Sequence, residues 1–272
     1  MTTVGEVFKG DPIVTSYFAG GREHMGIDTG LDTPFDFPVY FAVRDVLTHD
    51  KPMTELAAIL RQDSLYPHPD RLVHFFGNHD TTRFLTEAKG SLPRLKEALG
   101  LLATLRGTPE LYSGDEIAMS GGEDPDNRHD YPGGFPQEGS NTQPSAFSAA
   151  TRNADQQSAF GWTAALFAAR RSHPALQGAA QQDLFADDTS FVFVRTANLS
   201  GCTVDHAQEA VLVVLNTKPM PRSLTISVGN TALEACNQLQ PLAPADNGSA
   251  SVLNGAVHIE VPADSFSLFV VR

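Results

Sequence analysis

The stretch His74–Phe84, HFFGNHDTTRF, sets an apolar run directly against three polar side chains. Arg71–Gly77 (RLVHFFG) is short and β-prone, and Asn78, His79 and Asp80 follow it without a spacer. A strand of this kind delivers an amide, an imidazole and a carboxylate at its C-terminal tip. In a barrel of alternating strands and helices, that end carries the active site. Charged groups beside buried apolar residues are costly unless they are paired or used. The same residues also fit a plainer role, with Asp80 capping the next helix and His79 hydrogen-bonding locally.

The flanking sequence alternates in the same way. Thr2–Val7 reads as the end of a strand, and Phe35–Leu47 as a compact apolar run (FDFPVYF) passing into a helix. Pro52 and Met53 open another helix carrying Leu56, Ile59 and Leu60, since proline suits a first turn. Ser91–Arg106 places Leu92, Leu95, Leu99, Leu102 and Leu105 at helical spacing, with Ser91 as N-cap and Gly107 as the stop. Pro109–Ser113 (PELYS) reads as the next strand. Strands alternating with helices imply an α/β fold with a parallel sheet. Asp130–Asn153, rich in Pro, Gly, Ser, Asn and Gln, reads as a long surface loop, and a helix follows at Asp155–Arg171. Beyond His173-Pro174 the pattern changes to short β-branched or aromatic runs: Ser190–Thr196, Ala210–Asn216, Ser223–Val228, Ala256–Val261 and Ser265–Val271. Their spacing predicts a small antiparallel β-sandwich, with the boundary near Ala175–Gln181.

Composition narrows the partners. The 272 residues carry a net charge of -13, which disfavours nucleic acid and anionic membranes and suits a neutral substrate such as a sugar. No apolar run approaches the roughly 20 residues of a membrane helix. The opening MTTVGEVFKGDP shows no signal peptide, and the compartment is not legible from it. Cys202 and Cys236 could form one bridge in an oxidising compartment, but two cysteines fix no framework. The nine histidines are scattered singly, and no Cys/His set has zinc-site spacing.

Two further segments carry candidate chemistry. In TVGEVF, Glu6 follows the apolar end of a strand, a pattern shared by many solvated glutamates. In Gly107–Phe135, a strand runs into a Gly-rich loop containing Asp115, Glu116, Glu123, Asp124, Asp126 and Arg128. Such a loop suits calcium held by oxygen ligands, a rim for sugar hydroxyls, or simple solvation; its spacing is not that of an EF-hand.

Taken in order, the three segments resemble glycoside hydrolase family 13, the α-amylase family. FFGNHD is similar to the family's fourth signature region, TVGEVF to the third, and GTPELYSGDEIAM to the segment around the eighth strand. GGEDPDNRHDYPGGF looks most like the neopullulanase, cyclomaltodextrinase and maltogenic-amylase branch. HPALQGAAQQDLFADDTSFVFVR resembles the passage from the last barrel helix into the C-terminal sandwich, and VPADSFSLFVV that sandwich's final strand. The resemblance implies that residues 1–178 form the C-terminal half of a (β/α)8 TIM barrel, strands five to eight, and that residues 179–272 form the sandwich.

It also implies retaining hydrolysis of α-glucosidic bonds in starch-derived oligosaccharides, cyclodextrins or pullulan. Glu6 would be the general acid/base, with a pKa raised to keep it protonated near neutrality. Asp80 would be the third carboxylate, favouring the oxocarbenium-like transition state. His79 and Asn78 would serve the same sugar, and Asp124 and Arg128 would contact the neighbouring glucose; an internal salt bridge shaping the loop fits the last two equally. No cofactor is required and no metal ligands are assigned, calcium being compatible with the loop. The family's nucleophile, an Asp in a Gly-x-Arg-x-Asp pattern upstream of the Glu, has no counterpart here, and the native N-terminus is expected to be missing. The chain alone is therefore expected to be inactive and to self-associate through an exposed half-barrel. A transglycosylase or isomerase of the same family, or a non-catalytic carbohydrate-binding or assembly scaffold, are the alternatives.

Overall fold

Four strands of two residues each organise the N-terminal part in a computed structural model, which describes residues 2–133, 144–177, 180–197, 209–234, 238–244, 246 and 248–271. β1 (Val4–Gly5) leads to α1 (Pro12–Ser16), and β2 (Thr33–Pro34) to α2 (Phe37–Thr48) and α3 (Met53–Leu60). β3 (Val73–His74) leads to α4 (Phe84–Glu87) and α5 (Leu92–Thr104), and β4 (Thr108–Pro109) to α6 (Ala154–Ser172) and α7 (Pro174–Gln177). β1 pairs parallel with β2, and β3 with β4. A parallel bridge between Phe35 and Val73, with Asp36 N–H donating to Val73 O at 2.7 Å, joins the two pairs. The strands thus follow chain order, and all four C-terminal ends point the same way.

Local chemistry explains the helix limits. Ser91 caps α5 by accepting from Arg94 N–H at 3.4 Å, and Asn153 and Gln156 form a reciprocal capping box on α6. Pro52 occupies the N-cap of α3. Two expectations need correction. α5 ends at Thr104, and Gly107 is not its stop but the entry to β4: its φ is +92°, and a Cβ there would lie 2.4 Å from Leu72 O. Of PELYS only Pro109 lies in a strand, the ladder of β4 ending where Glu110 N–H donates to His74 O at 2.9 Å, and beyond it Phe76 O accepts from Arg44 at 2.8 Å.

Beyond α7 the chain is antiparallel throughout. β5 (Ala180–Ala186), β6 (Ser190–Thr196), β7 (Ala210–Asn216), β8 (Arg222–Ser227), β9 (Leu239–Pro241), β10 (Ser249–Leu253), β11 (Ala256–Val261) and β12 (Ser265–Val271) form two sheets. One runs β5-β6-β7-β12-β9 and the other β10-β11-β8. β5, β9 and β10 were not foreseen, and all three lie at sheet edges. Edge strands are half wet, so AQQDLFA, LQP and SASVL lack the apolar pattern of their inner neighbours. Cys202 and Cys236 lie outside the described residues.

The five-stranded sheet is covered on both faces. Val192, Val194, Leu212 and Val214 meet Leu224, Ile226, Val257 and Ile259 of the smaller sheet. Phe191, Phe193, Val213, Phe266 and Leu268 belong instead to the cluster of Leu56, Leu99, Leu102 and Leu166 from the helices. Every residue of β6 and β7 is accordingly buried. Each fully buried Leu or Phe contributes roughly 1.5–3 kcal/mol, so one apolar core ties the helices to the sheet.

Candidate active site

Past β3 the chain leaves the ladder and turns. Gly77 lets the Asp115 carboxylate approach this turn closely, since a Cβ there would stand 3.0 Å from Asp115 Oδ2. Asn78 N–H donates to Thr81 Oγ1 at 3.2 Å, and Asn78 Oδ1 accepts from Asp80 N–H at 3.0 Å. The turn is closed by its own buried Asn78, and His79 and Asp80 face outward with side chains 61% and 41% exposed. His79 Nε2 lies 3.2 Å from Asp80 Oδ2. Asp80 does not cap α4, whose N-cap is Arg83 with no side-chain bond.

The loop at residues 121–128 grips this turn from outside. Asn127, fully buried, donates from Nδ2 to His79 O at 2.8 Å and to Thr81 O at 2.9 Å. Arg128 Nε donates to His79 O at 2.8 Å and lies 3.0 Å from Asp124 Oδ1, while its Nη2 meets Asp80 Oδ1 at 3.0 Å. Asp80, Asp124 and Arg128 are therefore one ion-paired cluster, so the internal salt bridge exists. Behind it, Arg83 donates to Asn127 O and to Asp115 Oδ1, both at 3.0 Å, with its guanidinium 4.4 Å from the Tyr112 ring centroid. Burial pushes the Asp115 carboxyl up to about 7, against the opposing pull of Arg83.

Glu6 emerges exposed just past β1, at the same end of the strand order as Asn78–Asp80. It makes no hydrogen bond or ion pair with the described residues. The structure thus assembles Asn78, His79, Asp80, Asp124 and Arg128 and places Glu6 on the same edge without direct contact. Asn127, Arg83 and Glu110 were missed by sequence reasoning, and Asp115, read there as one carboxylate of the acidic loop, is instead a buried partner of Arg83. Glu110 follows β4 directly, as Glu6 follows β1, and that pattern was its only signal; burial raises its carboxyl pKa, with the His79 charge opposing.

The acidic loop is largely satisfied internally. Glu116 Oε2 accepts from Gly114 N–H at 2.7 Å, and Asp126 Oδ1 lies 2.7 Å from His129 Nε2. Among the described residues no group of three or more His, Cys, Asp or Glu side chains is disposed to hold a metal. No helix there is long and apolar enough to cross a membrane.

The family model described as "Alpha amylase, catalytic domain" matches residues 1–178. A Beta/alpha-amylase from Paenibacillus polymyxa is 29% identical over 279 residues, covering 98% of this chain and 20% of that protein. A cyclomaltodextrinase from Thermoanaerobacter pseudethanolicus is 35% identical over 102 residues, 36% of this chain and 18% of the relative. The crystal structure of an Anoxybacillus alpha-amylase superposes with a TM-score of 0.76 at 24% identity, covering all of this chain and 52% of that one. The chain thus spans about half of that structure and a fifth or less of the two relatives.

Proposed function

The chain belongs to the α-amylase family, and from that premise we propose that it forms part of a retaining glycoside hydrolase. Its substrates in this proposal are the α-glucosidic bonds of starch-derived oligosaccharides, cyclodextrins or pullulan. β1 to β4 are then the fifth to eighth strands of a (β/α)8 barrel within residues 1–178, and the two antiparallel sheets are a sandwich domain within residues 179–272. One observation carries the proposal: four parallel strands end on one edge, and that edge presents both Glu6 and the Asn78-His79-Asp80 turn. Barrel enzymes do their chemistry at that edge.

In the proposed mechanism Glu6 protonates the glycosidic oxygen and then activates water. Asp80 accepts hydrogen bonds from the sugar hydroxyls, which strengthen as positive charge develops on the ring. His79 binds the same sugar, Asn78 holds the turn that presents them, and Asp124 and Arg128 orient the neighbouring glucose. Arg128 also fixes Asp80 directly, at 3.0 Å. The route requires no cofactor. No Gly-x-Arg-x-Asp segment occurs in the 272 residues, so the covalent nucleophile of a two-step route is not among them. The same absence favours a second reading, a carbohydrate-binding or assembly scaffold.

Calorimetric titration with maltotriose tests the glucan assignment. Binding that Asp80→Asn removes is expected, together with negligible hydrolysis of starch, pullulan or cyclodextrins by the chain alone. No maltotriose binding would overturn the substrate class. Robust hydrolysis abolished by Glu6→Gln would overturn the missing nucleophile and with it the scaffold.

A further inference from the structure

β8 ends the order β10-β11-β8, and no strand lies beyond it among the described residues. Val228 N–H donates to Gly255 O at 3.0 Å, in register with the pairs Ser227↔Ala256 and Ile226↔Val257. Opposed residues of an antiparallel ladder alternate between exchanging hydrogen bonds and exchanging none. Arg222, Leu224 and Ile226 therefore bond β11, while Ser223, Thr225 and Ser227 turn their N–H and C=O groups outward. None of those outward groups has a hydrogen-bond partner among the described residues.

The side chains mark the same edge as open. Ser223, Thr225 and Ser227 are exposed. On the inner face Leu224 and Ile226 each keep 7% exposure, against 0% and 1% for Val257 and Ile259 beside them on β11. Unpaired edges recruit other strands, and proteins ordinarily blunt them with charge, proline or a bulge. β5, an edge of the larger sheet, carries a bulge between Asp183 and Phe185. Ser223–Val228 holds neither charge nor proline, and the Arg222 charge is already paired with Asp187 at 2.6 Å.

The sequence of the strand selects the partner. Ser223-Leu224-Thr225-Ile226-Ser227 has the same polar and apolar order in both directions about Thr225. An antiparallel copy centred there sets Ser223 opposite Ser227 and Leu224 opposite Ile226, and Thr225 opposite itself. The outward N–H and C=O groups of the two copies then meet, and the two inner faces continue as one apolar surface. A slip of one residue would oppose core side chains to solvent-facing ones, so the pairing has a defined register.

We propose that β8 is a two-fold interface, through which a second copy of this chain extends the sheet in the order β10-β11-β8-β8-β11-β10. The same patch is used by both copies, so the assembly closes at two. Only one short strand of each copy meets the other, which makes the dimer a weak one that exchanges with concentration. The interface is independent of the glucan assignment and of the edge that carries Glu6 and Asp80.

Sedimentation equilibrium on the full chain tests it. A monomer–dimer equilibrium is expected. Thr225→Pro weakens the dimer by about 10- to 30-fold, because it removes both N–H donors where Thr225 meets its copy. Proline is tolerated at an edge position whose N–H points outward, so the β8–β11 ladder survives. Thr225→Lys, a second variant, opposes two like charges across the axis and also dissociates the dimer. Cross-linking reads the register. Opposed residues that exchange hydrogen bonds have Cα atoms about 5.5 Å apart, within disulfide reach. In a Cys202→Ser, Cys236→Ser background, Thr225→Cys therefore cross-links to its copy with oxidised glutathione, and Ser223→Cys does not. Association that neither Thr225→Pro nor Thr225→Lys weakens would overturn the interface, as would a monomer at every concentration. Dissociation by both variants with no cross-link at Thr225→Cys would set another strand, such as β1 of a neighbouring copy, opposite β8 and overturn the two-fold.

Discussion

Replacing Asn127 by alanine tests whether the His79–Asp80 turn is carried by one buried amide. The side chain is 0% exposed and donates to two carbonyls, His79 O at 2.8 Å and Thr81 O at 2.9 Å. Their fates differ on truncation. His79 O keeps Arg128 Nε at 2.8 Å, whereas Thr81 O has no other donor among the described residues. One orphaned carbonyl costs about 1–3 kcal/mol, and one lost hydrogen bond to a satisfied group about 0.5–1.5 kcal/mol. Asn127 Oδ1, itself buried without a partner, disappears too, which returns part of that cost. The expected net loss is about 2–3 kcal/mol, read by urea unfolding at pH 7, with maltotriose affinity falling as Asp80 loses its register. Asn127→Asp fares worse, since it sets a carboxylate against two carbonyl oxygens. A loss below about 0.5 kcal/mol, the range of an ordinary surface substitution, would refute this account and leave the turn to Arg83 and the backbone.

Three other outcomes follow from the same geometry. Arg128→Ala changes unfolding free energy by less than about 1 kcal/mol, because its ion pairs are exposed, yet weakens maltotriose binding; a large stability loss with intact binding would reverse its role. Glu97 is buried beside Arg94 at 2.9 Å, its Oε1 has no partner, and burial pushes its carboxyl from 4.5 to about 8. The folded state then holds a proton that the unfolded state releases, so this group's contribution falls as pH rises from 4.5 to 8 and is flat above. Glu97→Gln flattens that slope in urea titrations across the window, and an unchanged slope would place the proton elsewhere. Finally, β1 has no outer partner strand among the described residues, and Val4, Phe8, Tyr17 and Phe18 are exposed nearby. Light scattering is expected to show concentration-dependent association, and a monodisperse monomer would count against it.

What was legible in the chain is what periodicity encodes. The α5 leucines, the strand-then-polar pattern of HFFGNHD and the inner strands β6, β7, β11 and β12 carry their burial in their spacing. β5, β9 and β10 do not, because a sheet edge asks for no such pattern. The Asn78–Asp80 turn was visible because its polar residues interrupt an apolar run. Its supports were not. Asn127, Arg83 and Asp115 reach their partners across 32 to 48 residues of sequence, and no local rule pairs them.

The seam between Gly100 and Phe266 bears on how the chain is made. A Cβ at Gly100 would lie 2.7 Å from the Phe266 ring, so the α5 backbone lies directly against that ring of β12. Phe266, Leu268 and Val270 of β12 complete the cluster that includes Leu99 and Leu102. Yet β12 is synthesised after β5, β6, β7 and β9, and it inserts between β7 and β9 rather than adding at an edge. A nascent polypeptide halted at residue 264 would hold α5 with its apolar side uncovered and β7 without a neighbour, the kind of surface that chaperones hold and aggregates recruit. Ribosomal stalling or a stop codon just before β12 would therefore uncover the core that α5 and the sheet share.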